Sequence, residues 1–163
     1  MPLMEDLYAK ERARQITLLP FFYSTSFQNS TVAAGVTVAQ TIPIQADSQF
    51  VCRYFNITCY ASNPVAVVQV TPPLLINFFD TGSGRTLQDN PQPIQNLCGG
   101  VAAGTGTGHL PFILPEPWLI RAGAVVQVTI VNIGVLTFPR LDLSLVGMKV
   151  FSWGGQSPAN LDN

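Results

Sequence analysis

The chain has 163 residues, 47% of them apolar and only 10% charged, with a formal net charge of −1. That length suits one domain with a sizeable core and leaves little room for a second. Arg53, Arg85, Arg121, Arg140 and Lys149 stand singly, so no basic cluster points to nucleic acid, and no apolar run reaches the ~18–20 residues that cross a bilayer, so no membrane is expected either.

Residues 1–20 read as an N-terminal arm, helical or extended. MPLMEDLYAKERARQ is rich in helix formers, with Asp6 and Lys10 at i,i+4 spacing. Leu3 and Leu7 share a side that Lys10, Glu11 and Arg14 continue, so the apolar stripe lasts barely two turns. A helix this short is marginal alone. It either packs on the surface or orders when it docks on a partner. Acids and bases are interspersed here and no uninterrupted apolar segment follows, so a secretory signal is not expected and the chain reads as made in the cytoplasm.

The body, 21–153, reads as β throughout. Phe21, Phe22, Tyr23 and Phe27 form an aromatic first strand region. In Val36–Ile44, Val36, Val38, Ile42 and Ile44 share one face and Thr37 and Thr41 the other. Asp47-Ser48 turns the chain into FVCRYFNITCY, whose aromatic and β-branched content favours a central strand. VAVVQV and LLINFF follow, on either side of a corner at Thr71-Pro72-Pro73. Residues 80–108 are rich in Gly, Pro, Asn and Asp and exceed the usual ~12–15-residue limit for structureless loops. Beyond them two strands alternate cleanly. Val126, Val128 and Ile130 oppose Gln127 and Thr129, and Leu141, Leu143 and Leu145 oppose Asp142 and Ser144. Residues 154–163 read as a tail. Roughly seven or eight short strands at ~8–12-residue spacing predict an all-β, antiparallel two-sheet sandwich, a jelly roll or related Greek key.

Reaction chemistry is sparse. His109 is the single histidine, and with Glu116 it falls short of a cupin-like metal set. No GxSxG elbow or GK[ST] cradle occurs, and Asp47, Asp80 and Asp89 read as turn residues. Cys52, Cys59 and Cys98 show no CxxC pattern and read as reduced structural thiols. No enzyme activity, cofactor or metal is expected. Trp118 and Trp153 offer a platform for sugar stacking, which makes a carbohydrate-binding module the alternative from another class. The charge content lies well below the ~25% of ordinary soluble domains, and six charges fall in the first fourteen positions. A neutral, hydroxyl- and amide-rich surface suits a subunit covered by neighbours.

The run from Pro117 to Val150 carries Pro117, Trp118, Ile120, Ala122, Gly123, Val128, Ile130, Asn132, Leu143, Leu145, Gly147, Lys149 and Val150. These resemble a pattern in small virion proteins of tailed bacteriophages: head decoration (cement) proteins and related head or collar proteins with a β-sandwich. The resemblance covers about a quarter of the chain, and its motif is structural. It implies a non-enzymatic virion protein, made in the host cytoplasm, that binds the major capsid protein or other virion proteins and stabilises contacts between capsomers. A collar, head-fibre or tail-attachment role is the alternative within that class, and a dimeric or trimeric homo-oligomer is expected. The residues expected to touch partners are Leu3, Leu7, Tyr8, Arg12 and Arg14 in the arm and Arg85, Leu87, Ile94 and Leu97 in the long loop.

Overall fold

The structure is a computed structural model describing residues 2–27, 32–60, 73–96, 112–135, 137–138 and 140–154. A helix, α1 (Pro2–Arg12), precedes β1 (Ile16–Ser26), β2 (Thr37–Pro43), β3 (Gln49–Tyr60) and β4 (Leu74–Asp80). Two-residue pieces β5 (Arg85–Thr86) and β6 (Gln92–Pro93) and a 3-10 turn (Ile94–Asn96) follow, then β7 (Phe112–Ile120), β8 (Val125–Asn132) and β9 (Arg140–Ser152).

The strands form two antiparallel sheets, ordered β1-β9-β3-β7 and β2-β8-β4-β5, with β6 also on β4. First and last strands are neighbours in one sheet, and second and next-to-last are neighbours in the other. That nested order is a jelly roll, the first-named of the predicted sandwiches. Period-2 patterning explains it. β8 and β4 bury every second residue, and β9 does so from Leu141 to Leu145. Leu143, Leu145, Phe50, Phe55 and Ile57 of the first sheet meet Ile76, Phe78, Val126, Val128 and Ile130 of the second in one core. Phe55 and Phe78 stack across it with ring centroids 4.6 Å apart.

Two local irregularities shape the first sheet. Against β9 the β3 ladder shifts register between Cys52 and Tyr54, leaving Arg53 as the extra residue of a β-bulge, and against β7 the same step passes over residues 114–117 of β7. Opposite the bulge, a Cβ on Gly147 would stand 1.9 Å from the Val51 carbonyl oxygen, so only glycine lets β9 approach there.

The expected segment boundaries move. β1 begins at Ile16, so the strand starts inside the expected arm. Within the span 80–108, β5, β6 and the 3-10 turn give residues 85–96 some regular structure, and Ile94 joins the core. β9 runs to Ser152, and the Trp153 amide donates to the Gln15 carbonyl at 3.0 Å. The predicted strand VAVVQV, the glycine-rich residues 97–108 and the tail beyond Gly154 lie outside the described residues.

Candidate interaction faces

The outer face of the first sheet is apolar, and α1 covers part of it. Met4 and Leu7 are buried with Ile16, Val51 and Val150, and Leu3, Leu18, Leu119 and Met148 pack around them. The helix therefore docks on its own sheet. Asp6 and Lys10 pair at 3.1 Å, and Glu11 Oε1 accepts a hydrogen bond from the Leu18 amide at 3.2 Å.

Beside the helix, a second apolar row is left open. Phe22 pairs with Val146, Val146 with Tyr54, and Tyr54 with Ile113, one residue from each strand in sheet order. Phe22 and Ile113 are each 64% exposed. The next row on the side away from the helix, Ser24, Ser144 and Asn56, is polar and closes the strip. Cross-strand neighbours stand ~4.5–5.5 Å apart, so the four side chains form one continuous surface.

The outer face of the second sheet is different. Its rows run Thr41, Gln127, Phe79, Thr86; Ala39, Thr129, Asn77; and Thr37, Val131, Leu75, Pro93. None of these residues is charged, and every row mixes apolar with hydroxyl or amide groups.

The sheet edges are guarded. Pro20 sits within β1, Pro43 ends β2, Pro93 is in β6, and β7 carries Pro115 and Pro117. Proline cannot donate to a ladder, so these edges resist addition of a further strand. The faces, not the edges, are left open to contact.

The predicted contact residues do not converge on one surface. Leu7 and Ile94 are corrections: burial leaves Leu7 at 0% and Ile94 at 2% exposure, so both are used inside the chain. Leu3 and Leu87 are half-buried against the two apolar clusters. Tyr8, Arg12 and Arg14 on the helix side and Arg85 in β5 are exposed, but they belong to different sheets. Leu97 lies outside the described residues. The open row was missed because aromatic and β-branched content assigns Phe22 and Tyr54 to strands without saying which strands pair. Register alone places them on one outer line.

The remaining reactive groups have structural surroundings. Burial pushes the Cys52 thiol up to about 12, against weaker opposition from backbone hydrogen bonds, so it stays protonated and unreactive near neutrality. Asp80 accepts from the Gly82 amide at 2.8 Å and the Ser83 hydroxyl at 2.9 Å, holding the turn after β4. Lys149, grouped above with the scattered cations, is instead buried. Its ammonium donates to Gln45 Oε1 and to Asp47 at 3.2 Å and lies 4.5 Å from the Phe21 ring centroid. Among the described residues no three His, Cys, Asp or Glu side chains are grouped to hold a metal ion. Trp118 packs edge-on to Phe78 at 6.4 Å inside the sandwich, while Trp153 is exposed in the turn after β9, so the two share no stacking surface.

No known protein family matches this chain, and no curated protein is similar to it.

Proposed function

We propose that this protein is a non-enzymatic virion structural subunit, a decoration (cement) protein that docks on the assembled head of a tailed phage and braces neighbouring capsomers. The observation that carries the reading is the open row Phe22, Val146, Tyr54 and Ile113 on a charge-poor jelly roll with proline-guarded edges. A contiguous apolar strip of this kind marks a protein-contact surface. The jelly roll is also a fold of capsid domains, an analogy at the level of fold alone.

Size defines the kind of contact. Four strands at a spacing of ~4.8 Å span roughly 15–20 Å, and one row takes up ~7 Å along the strands, so the strip offers roughly 100–140 Å², far less than the ~800 Å² per partner that a stable pair of proteins buries. One copy of this strip binds weakly. A symmetric homo-oligomer on a repeating shell engages several copies at once, and avidity then supplies the strength.

The test is co-sedimentation with phage heads lacking the protein. Phe22→Ser with Ile113→Ser should abolish head occupancy, while Thr41→Ala with Thr129→Ala on the other sheet should leave it intact. Both double variants should keep the wild-type circular dichroism spectrum, because their side chains face outward. Undiminished occupancy of the Phe22/Ile113 variant would overturn the reading.

A further inference from the structure

The bulge in β3 places a cation beside the open row. Arg53 is half-buried, and among the described residues it has no carboxylate partner. With Phe22, Tyr54, Val146 and Met148 it lines a groove of about 370 Å³ that crosses the middle of the sheet. The bulge turns two successive residues, Arg53 and Tyr54, to the outer face, and an unpaired guanidinium set among apolar walls offers its fork of donors to an anionic group.

We propose that this groove seats an extended segment of the partner protein in which an aspartate or glutamate lies beside a leucine, isoleucine or phenylalanine. The apolar side chain covers Phe22 and Met148, and the carboxylate takes Arg53 in a charge-assisted hydrogen bond. The inference rests on the docking role proposed above and adds the chemistry of the bound segment. Charge complementarity decides the occupant: the groove offers one cation set in apolar walls. A nucleic acid strand needs several cations along its phosphates, and this groove has only Arg53.

The probe is a library of random dodecapeptides selected against immobilised wild-type protein. Enriched peptides should carry an acidic residue within two positions of a large apolar one. Arg53→Gln should weaken them about tenfold, and so should replacing the peptide's acid by its amide. Combined, the two changes should cost little more than either alone, because both remove one interaction. The peptide change leaves the protein untouched, so it decides the matter even if Arg53→Gln unfolds. Peptides that bind without an acid, or as tightly to a folded Arg53→Gln variant, would overturn the proposal, as would effective competition by oligothymidylate. Acid-dependent peptide binding together with undiminished head occupancy of the Phe22/Ile113 variant would sustain the groove and refute the virion role. Loss of occupancy without acid-dependent peptides would sustain the docking face and refute the groove.

Discussion

The two sheets turn unlike faces outward. The first stacks two apolar rows, Pro20-Met148-Val51-Leu119 and Phe22-Val146-Tyr54-Ile113. The second interleaves Thr, Gln and Asn with its apolar residues in every row. A sheet apolar on both sides must be covered on both, whereas a mixed face can stand in water. The helix covers Val51 and Leu119 of the first row and packs against Met148, while Pro20 and the second row stay open. The N-terminal segment is thus a partial lid on an apolar surface, and not a free arm.

The largest effect should come from removing that lid. Leu7 is fully buried between α1 and the sheet. Leu7→Ala should lower the unfolding free energy by about 2–5 kcal/mol, measured by urea denaturation, because a cavity replaces a packed side chain. Phe22→Ser, one row away on the same face, should change stability by no more than ~0.5 kcal/mol, as for other surface substitutions. A similar small loss for Leu7→Ala would dissolve the distinction between covered and open rows. Deleting the helix should likewise leave a less stable body, as expected of the first of the two sequence readings, a helix packed on the surface.

Much of this architecture is legible in the residues. The alternation of Val126, Val128 and Ile130 and of Leu141, Leu143 and Leu145 specifies inward faces, and burial follows it position by position. Leu3 and Leu7 mark the helix face that packs. The bulge also left a trace: apolar parity in β3 switches from Phe50 and Cys52 to Phe55 and Ile57. Read as one uninterrupted strand, that switch hides Arg53. Two features are not legible because they depend on partners distant in sequence. The open row needs the pairing of four strands, and Lys149 meets Gln45 and Asp47 104 and 102 positions away.

Lys149 also sharpens the contrast between faces, since β9 points apolar Val150 outward under the helix and the Lys149 ammonium inward. Burial of Asp47 works against its ionisation, but hydrogen bonds from Ser48 and Lys149 and the Lys149 charge hold its carboxyl below the ordinary 3.8. The folded state therefore binds this proton less readily than the unfolded chain. The stabilisation is intact above about pH 4 and is lost as the pH falls through the lower folded value. Asp47→Asn should cost about 1–2 kcal/mol at neutral pH, moderated because water reaches Asp47, and should flatten the acid limb of stability. Adding Lys149→Met should restore most of the loss, since an apolar chain of similar length needs no counterion. An unchanged acid limb in Asp47→Asn would assign that limb to Asp142, whose carboxyl Arg140 holds low against burial.

The smallest effect concerns how the helix is joined to its sheet. Arg14 has φ 58°, the left-handed conformation that glycine adopts freely. It lies just past α1, where the Gln15 amide donates to the Lys10 carbonyl and the Arg14 amide to the Glu11 carbonyl, each at 2.9 Å. That six-to-one bond is the Schellman closure, and its left-handed position is usually a glycine. Arginine there is strained by contact of its Cβ with the following carbonyl, at about 1–2 kcal/mol. Arg14→Gly relieves the strain but gives the unfolded chain more freedom, so the net gain should be about 0.5–1 kcal/mol in urea. Arg14 is exposed, and no ion pair is lost with it among the described residues. A gain in the wild type that vanishes in Leu7→Ala would show that the turn acts by seating the helix on its row. An equal gain in both would mean that the turn relaxes on its own, independent of the lid.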